Sequence, residues 1–248
     1  MAMMTGKNAK SSKPNDELKL DRVVLLGRTL KEYRRYFALD LDGLQKNSIL
    51  DLAAGVSSFC AEGRELGLNI TAADLIYEFS PAQIRARCQP DLDFVIAQIA
   101  GLTIYQWEFY KNPERLRQFR EKAYQLFLAD FESHPERYVV ARLPRTPFAD
   151  GQFDLTLVSY LLFVYDDQRD YAFHQESILE IMRITSGEAR IYPLVNFRAQ
   201  RSKYLDALRR DPEVRHLEFL EVKTDFEFLT DSNWYLRVRR RNGAAAKK

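Results

Sequence analysis

The chain has 248 residues, and 37 Lys and Arg against 35 Asp and Glu give a formal net charge of +2. Hydrophobic residues make up 46% and charged residues 29%, so the chain can bury a sizeable core and intrinsic disorder is excluded. The near-neutral balance argues against a protein whose whole surface binds nucleic acid.

The ends of the chain differ from its body. Residues 1–20 are polar without apolar periodicity and predict a flexible arm, and residues 243–248 predict a tail. Thr29 and Glu32 have the spacing of a capping box, which predicts a helix over 30–37.

A strand–turn–helix–strand unit follows. Short apolar strands are predicted over 48–55 and 69–74, with a helix over 57–67 between them. This unit predicts parallel pairing with a right-handed crossover.

Residues 79–137 interrupt the alternation of strands and helices. Ser80-Pro81 predicts a helix start, Pro90 predicts that this helix ends or kinks, and Asn112-Pro113 predicts another start. The segment is rich in aromatic residues, so we expect a helical insertion within one domain spanning 21–242.

Alternation then resumes. Strands are predicted over 138–143, 153–165, 188–194, 216–229 and 234–241, with helices near 170–185 and 200–210. The last two strands are joined by a short turn, so they should pair antiparallel.

The turn after the first strand is the best candidate site. In an open α/β sheet, ligands bind beyond the carboxyl ends of the strands. Asp51 ends the first strand, small residues at 53–55 allow close approach to the backbone, and Asp74 ends the second strand 19 residues after Gly55. A carboxylate at that place can accept both ribose hydroxyls. The plainer interpretation is a helix-capping turn and a solvated aspartate.

This turn lacks the dinucleotide fingerprint. Residues 53–58 read AAGVSS, so two glycines of G-x-G-x-x-G are missing, and no lysine completes a P-loop. A nicotinamide-dependent oxidoreductase is therefore disfavoured. Asp51 suits a ligand that carries an ammonium group.

These residues resemble the Rossmann-like (class I) S-adenosylmethionine-dependent methyltransferases, and in particular a group of unassigned substrate. The first motif D/E-x-G-x-G-x-G is matched by Asp51, Ala53, Gly55 and Ser57. The phrases LPRTPFADGQFDLTLVSYLLFVYDD and FHQESILEIMRITSGEARIYPL resemble later strands and helices of the family. The resemblance implies an α/β fold with a mostly parallel seven-stranded sheet, an antiparallel C-terminal strand and a helical insertion after the second strand.

The resemblance also implies a cofactor, S-adenosylmethionine, and residues to hold it. Asp51 and the backbone of residues 53–55, which include Ala53 and Gly55, would face its methionine part, and Ser57 is a further cofactor-binding residue of the motif. Asp74 would bind the ribose, and the adenine would lie between Leu75 with Ile76 and Arg142 with Leu143.

Candidate catalytic residues follow the fourth predicted strand. Tyr160 is the main candidate, with Ser159, Tyr165 and Asp166 near it. His174 is a candidate base, because its unperturbed pKa is ~6.5. Alternatively, His174 is a packed helix residue and the tyrosines belong to the core.

Two further groups are candidates for the pocket. Arg28, Tyr33 and Tyr36 could close over the cofactor, with Arg28 pairing its carboxylate. The aromatic cluster of the insertion could line the substrate pocket or form its own core; it comprises Tyr105, Trp107, Phe109 and Tyr110.

The sequence therefore predicts a methyltransferase acting on a small or medium-sized molecule. The alternatives are a non-catalytic binding protein with the same fold, or an RNA methyltransferase that uses the cationic C-terminal strand. No metal site is expected, because no His, Cys and Asp cluster has ligand spacing. Two cysteines, too few for a disulfide framework, indicate a cytoplasmic protein, and no stretch approaches the ~20 apolar residues of a membrane helix.

Overall fold

A computed structural model describes residues 17, 18, 20 and 24–241, so the predicted arm lies largely, and the tail wholly, outside the described residues. The helices are α1 (Leu30–Tyr36), α2 (Phe59–Glu65), α3 (Pro81–Ile99), α4 (Pro113–Ser133), α5 (Tyr171–Ile184) and α6 (Tyr204–Arg210). The strands are β1 (Ser48–Leu52), β2 (Asn69–Ala73), β3 (Tyr138–Val139), β4 (Phe153–Ser159), β5 (Thr185–Tyr192), β6 (Leu217–Lys223) and β7 (Trp234–Arg240).

The seven strands form one sheet in the order β3-β2-β1-β4-β5-β7-β6. All neighbours pair parallel except β7, which is antiparallel to both β5 and β6. The predicted α/β fold is therefore confirmed, including the antiparallel C-terminal pair. Strand order reverses between β1 and β4, which is where such sheets bind ligands.

Alternate side chains of the central strands face opposite sides of the sheet, as the two-residue period of a strand requires. On β1, Ile49 belongs to one buried cluster, whereas Leu50 and Leu52 belong to the other. The first cluster contains the aromatic side chains of α1 and packs against the insertion, and the second packs against α5 and α6.

Of the two outcomes predicted for Pro90, an end or a kink of its helix, the first is wrong, because α3 continues through this proline to Ile99. A proline inside a helix costs about 3 kcal/mol. The buried face includes Ile84, Cys88, Leu92 and Val95, so its helical spacing is unbroken across Pro90. Each large apolar side chain so buried contributes about 1.5–3 kcal/mol, which outweighs the proline.

The fourth predicted strand is shorter than expected. It ends at Ser159 rather than near 165, because Tyr160 has a left-handed φ of 52°. The backbone N–H of Tyr160 still donates to the carbonyl of Tyr192, at 2.7 Å. The chain then turns away, and this turn presents Tyr160 at the edge of the sheet.

Of the predicted arm, the structure describes Glu17, Leu18 and Leu20, and Leu18 is buried in the first cluster. Among the described residues, no helix is long and apolar enough to cross a membrane. Both cysteines are buried thiols without a disulfide.

Candidate functional site

A cleft lies at the switch point, beyond the carboxyl ends of β1, β2 and β4. Its floor consists of Ala53, Ala54 and Gly55 after β1, Asp74 after β2, and Ser159 with Tyr160 at the end of β4. Its remaining walls come from the segment before α1 and from later loops, namely Leu18, Leu20, Val24, Leu25, Leu26, Arg28, Ile76, Leu161, Tyr165 and Phe197.

The turn after β1 is held in place by hydrogen bonds that its N–H groups donate to the end of β2. The N–H groups of Ala53 and Ala54 donate to the carbonyl of Ala73, at 2.8 and 3.2 Å. Ala53 and Gly55 both have left-handed φ values, of 61° and 55°. The N–H of Gly55 donates to Asp74 Oδ2, at 2.9 Å. The structure therefore brings together the predicted residues Ala53, Gly55 and Asp74.

Asp51 lies beneath this turn and is fully buried. Its Oδ1 accepts a hydrogen bond from the Tyr33 hydroxyl at 2.9 Å, and that hydroxyl also lies 2.9 Å from the Ser159 hydroxyl. Its Oδ2 has no hydrogen-bond partner among the described residues. Burial raises the pKa of Asp51 to about 8, although the hydrogen bond from Tyr33 lowers it.

No cation compensates the charge of Asp51 within the described part of the chain. The groups that act on its carboxyl are the Tyr33 hydroxyl and the carboxyl of Asp74, and the latter raises the pKa further. Buried carboxylates normally have a positive partner, because an unpaired buried charge is costly. A ligand with an ammonium group would supply that partner, so the residues fit the amino-acid end of S-adenosylmethionine.

Asp74 is half-buried and keeps room for a ligand. Its Oδ1 accepts from the N–H of Ile76 at 3.0 Å, and its Oδ2 accepts from Gly55. Burial raises the pKa of Asp74, against these backbone hydrogen bonds, which lower it. A carboxylate has about four acceptor positions, so free positions remain for two hydroxyls.

Ser57 does not face the cleft, contrary to its place in the motif. Its hydroxyl donates to the carbonyl of Arg28 at 2.9 Å, and the N–H of Ser58 donates to the same carbonyl at 2.9 Å. Ser57 is nearly inaccessible and accepts from the N–H of Phe59 at 3.1 Å. The two serines therefore fix the segment before α1 against the turn.

Of the residues expected around the adenine, only one lines the cleft. Ile76 lines the cleft, but the side chain of Leu75 points outward and is 42% exposed. Leu143 lies in the second buried cluster and does not line the cleft. Arg142 is exposed.

Tyr160 stands in the cleft as predicted, and the Arg28 guanidinium lies over its ring, 4.3 Å from the ring centroid. Burial raises the pKa of Tyr160, although the charges of Arg28 and Arg120 lower it. Tyr160 is therefore protonated near neutral pH. Arg28 Nε has no hydrogen-bond partner among the described residues, so it can donate to a ligand.

His174 is not brought to the cleft, which corrects its assignment as a base. It is fully buried on α5, with Nδ1 2.7 Å from the Asp170 carbonyl and Nε2 2.8 Å from the Leu162 carbonyl. Burial lowers the pKa of His174, against these two carbonyls, which raise it. Both ring nitrogens are engaged, so the residue is structural.

Of the remaining candidates for the site, some line the cleft and others are buried in the core. Tyr165 lines the cleft, whereas Asp166 is buried and accepts from Asn196 Nδ2 at 3.2 Å. Tyr36 packs in the core, where its ring stacks on Tyr192 with centroids 4.5 Å apart.

The sequence did not reveal a buried ion pair next to the cleft. Arg120 of α4 donates to Glu32 Oε1 of α1 at 2.6 Å and to the Gly27 carbonyl at 2.9 Å. The Tyr110 hydroxyl donates to the same carboxylate oxygen and accepts from Arg120 at 2.8 Å. Glu32 was identified only as a helix cap, and no local pattern marks its partner 88 residues away.

Among the described residues, no group of three His, Cys, Asp or Glu side chains could hold a metal ion.

Most arginines of β7, and Arg241 after it, bind other groups of the protein. Arg239 contacts Glu218, Arg240 donates to the Thr185 carbonyl at 2.7 Å, and Arg241 donates to the Leu217 carbonyl at 3.0 Å.

The strand order and the antiparallel β7 are those of the Rossmann-like fold seen in class I methyltransferases. The chain belongs to the family of a protein of Methanocaldococcus jannaschii named "Uncharacterized protein MJ0045". The two are 40% identical over 225 residues, which cover 90% of this chain and 99% of the relative. No protein-family model matches the chain.

Two solved structures are similar at low identity. Magnesium protoporphyrin IX methyltransferase from Synechocystis PCC 6803, with bound SAM, has 9% identity and a TM-score of 0.44, covering 86% of this chain and 78% of that one. Burkholderia thailandensis 1,6-didemethyltoxoflavin-N1-methyltransferase, with S-adenosylhomocysteine, has 14% identity and a TM-score of 0.43, covering 81% and 76%. Neither likeness bears on what this chain binds.

Proposed function

We propose that the protein is an S-adenosylmethionine-dependent methyltransferase that acts on a small or medium-sized molecule. One observation carries the proposal: Asp51 is a fully buried carboxylate with an unpartnered oxygen and no cation among the described residues. It lies at the switch point of the sheet, under a turn with two left-handed residues. Burial keeps Asp51 protonated in the absence of a cation, and an ammonium group on the ligand would stabilise its ionised form.

The remaining contacts follow from the cleft. Asp74 would accept the ribose hydroxyls, and the turn over Ala53 and Gly55 would let the ligand approach the backbone. Arg28 would donate to the carboxylate of the cofactor, because its Nε lacks another partner. Ser57, Leu75 and Leu143 are not part of this proposal, because the Ser57 hydroxyl is engaged by the Arg28 carbonyl, Leu75 is exposed, and Leu143 lies in the second buried cluster.

When bound, S-adenosylmethionine supplies a methyl group that its sulfonium already activates. The chain then has to hold the acceptor in line with that methyl group and exclude water. Tyr160 is the residue for the first task, because it stands at the end of β4 inside the cleft. Since it is protonated near neutral pH, Tyr160 would orient the acceptor by donating a hydrogen bond and would not act as a base.

A binding protein with the same fold but no transferase activity is the second candidate. The apolar side chains of the segment before α1 already stand over the cleft, which favours tight enclosure of a ligand. An RNA methyltransferase is less well supported, because the arginines of the C-terminal strand contact the protein itself. We also propose a cytoplasmic location, which the two free thiols support.

Calorimetry with S-adenosylmethionine, S-adenosylhomocysteine and NAD tests the proposal. We expect the first two to bind and NAD not to bind. Binding of NAD alone would contradict the proposal. A metabolite screen for mass gains of one methyl group, with S-adenosylhomocysteine as co-product, separates a transferase from a binding protein.

A further inference from the structure

A second, apolar space adjoins the cleft, and we name it the inner pocket. Its cavity volume is about 40 Å³, so a ring that binds there has to move the lining side chains apart. Its own lining residues come from α3, α4, the loop between them and the loop between β6 and β7, and they are Val95, Ile99, Tyr105, Leu116, Arg120, Phe228 and Leu229. It shares its other lining residues, Leu18, Leu26, Arg28, Tyr160 and Phe197, with the cleft.

The wall between the insertion and the C-terminal loop is fastened by hydrogen bonds. The N–H of Gln106 donates to the Phe228 carbonyl at 2.6 Å, and the N–H of Thr230 donates to the Ile104 carbonyl at 2.8 Å. The rings of Tyr105 and Phe228 lie with centroids 4.8 Å apart. The insertion and the C-terminal loop therefore build one side of the pocket together.

The position of the inner pocket suits a methyl acceptor. Transfer needs the acceptor atom within roughly 3–3.5 Å of the methyl carbon and in line with the bond that breaks. The inner pocket meets the cleft at Tyr160 and Arg28, beside the end of β4. A larger and more polar groove near Asp167 and Arg198 shares no residue of the strand ends with the cleft.

The chemistry of the lining restricts the acceptor. Four lining residues are aromatic, namely Tyr105, Tyr160, Phe197 and Phe228, and such rings pack best against another ring. The only charged residues that line the pocket in the described part of the chain are Arg28 and Arg120. Arg120 is compensated by Glu32, and Arg28, which the proposed function pairs with the cofactor carboxylate, adds a second positive charge at the border of the pocket. A cationic acceptor would lose its hydration and meet no carboxylate there.

We propose that the inner pocket binds the methyl acceptor and that this acceptor is a small aromatic molecule without a positive charge. The proposal rests on the proposed function, because it places the pocket beside a cofactor. Among the aromatic residues that the sequence suggested for the substrate, only Tyr105 lines this pocket. Phe109 and Tyr110 instead pack against Phe119 and Phe226.

Three probes that share a 4-methylphenyl ring and carry a neutral, an anionic or a cationic substituent test the proposal: 4-methylphenol, 4-methylbenzoate and 4-methylbenzylamine. Their binding to the full chain, saturated with S-adenosylhomocysteine, is measured by calorimetry and by ligand-observed NMR. We expect the phenol and the benzoate to bind, and the amine to bind at least about tenfold more weakly, which corresponds to ~1.4 kcal/mol.

Val95→Phe fills the inner pocket, and Val140→Phe makes the same change at an exposed position. We expect Val95→Phe to weaken binding of the phenol at least about tenfold, or ~1.4 kcal/mol, and Val140→Phe to leave it unchanged. Phe228→Ala, which removes an aromatic wall, should also weaken it and serves if Val95→Phe does not fold. Affinity for S-adenosylhomocysteine should be the same in all variants.

Equal or tighter binding of the amine, or unaltered phenol binding in Val95→Phe and Phe228→Ala, would overturn the inference. So would a wild-type protein that binds S-adenosylhomocysteine but none of the probes. If the wild-type protein does not bind S-adenosylhomocysteine, the proposed function itself fails, and that result is seen before any probe is added.

Discussion

The Tyr33 hydroxyl lies 2.9 Å from Asp51 Oδ1 and 2.9 Å from the hydroxyl of Ser159. A side chain of α1 thus joins the ends of β1 and β4 at the point where the strand order reverses. Tyr33 donates to Oδ1 of Asp51, and Oδ2 has no hydrogen-bond partner among the described residues. The orientation of this carboxylate is therefore set by the helix before the sheet.

Tyr33→Phe should weaken binding of S-adenosylhomocysteine about tenfold, since a hydrogen bond to a charged group contributes about 1.5–3 kcal/mol. The ring would keep its stacking on Phe59, with centroids 4.4 Å apart, so the fold should persist. Tyr36→Phe is the matched control, because its hydroxyl contacts Glu32 instead. Calorimetry on both variants checks this, and equal affinities would contradict a positioning role for Tyr33.

The binding of S-adenosylhomocysteine should depend on pH through Asp51. Below a pH of about 8, the value to which burial raises its pKa, Asp51 is protonated in the ligand-free protein. It must ionise to pair with an ammonium group, so affinity should rise up to about tenfold per pH unit toward pH 8 and then level off. Close to one proton should be released per ligand at neutral pH.

Calorimetry in phosphate and Tris, whose heats of ionisation differ, measures that proton. Asp51→Asn should release no proton and should bind S-adenosylhomocysteine more weakly.

The stability of the ligand-free protein should also depend on pH through Asp51, because the pKa of an aspartate in the unfolded chain is about 3.9. Asp51 therefore lowers the stability of the ligand-free protein as pH rises from about 4 to about 8, a trend that Asp51→Asn should remove. Identical heats in both buffers would show that Asp51 does not exchange a proton.

Asp74→Ala should lose most of the affinity for S-adenosylhomocysteine, because both the ribose contact and the hydrogen bond to Gly55 are removed. The loss should be much smaller for the 2′-deoxy analogue of the ligand, which wild-type protein already binds more weakly. Glu78→Ala serves as the control, because Glu78 is an exposed acidic residue in the single 3-10 turn Leu75–Glu78 that Asp74 caps. An equal loss of affinity for both ligands would show that Asp74 does not bind the ribose hydroxyl.

Two glycines near the cleft should respond differently to alanine. A Cβ at Gly27 would lie 2.2 Å from the Val56 carbonyl oxygen, so Gly27→Ala should cost roughly 1–3 kcal/mol or more. A Cβ at Gly55 would meet nothing within 4 Å, and only its left-handed φ opposes it, at a cost of about 1–2 kcal/mol. Denaturant unfolding measures both. A smaller loss at Gly27 than at Gly55 would contradict the contact with Val56.

Removing Arg120 should destabilise the protein strongly. Arg120→Met leaves Glu32 buried without its cation, which costs about 3–5 kcal/mol. Arg115→Met, at an exposed position of the same helix, should have little effect. The double variant Glu32→Gln with Arg120→Met should recover part of the loss in denaturant unfolding, and a double variant less stable than Arg120→Met would argue against a charge effect.

The stabilisation that the Glu32–Arg120 ion pair gives to the fold should decrease at acidic pH. Burial raises the pKa of Glu32, but Arg120, Arg28 and the N–H of Thr29 outweigh it and hold this pKa below its ordinary value. The stabilisation is therefore present above the unfolded pKa of about 4.3 and is lost as pH falls below it. Arg120→Met should remove this trend from unfolding measured between pH 3 and pH 7.

Local patterns were enough to predict the strand-end turn of the cleft floor and the carboxyl beneath it. Asp51, Gly55 and Asp74 lie at strand ends, and parallel strands bring their carboxyl ends to one edge whatever the rest of the chain does. The capping box at Thr29 and Glu32 was likewise readable, because both partners lie within one helical turn. These features depend on residues close in sequence or on strand geometry alone.

The remaining features depend on contacts between distant segments. Ser57 occupies a glycine position of the motif, but its partner is the carbonyl of Arg28, 29 residues earlier. His174 has helical spacing that fits a buried face as well as an open one, and packing selects the former. Pro90 lies inside α3 because the buried face on both sides of it packs against the rest of the protein.

The hydrogen bond from Ser57 to the Arg28 carbonyl has a consequence for relatives of this chain. A glycine at position 57 would lack the hydroxyl that anchors the segment before α1. Because Ser57 binds the backbone carbonyl of position 28, this anchor does not depend on which side chain stands there. Members with glycine at position 57 would need another way to anchor this wall of the cleft. Serine in place of glycine at position 57 therefore goes together with a segment before α1 that forms one wall of the cleft.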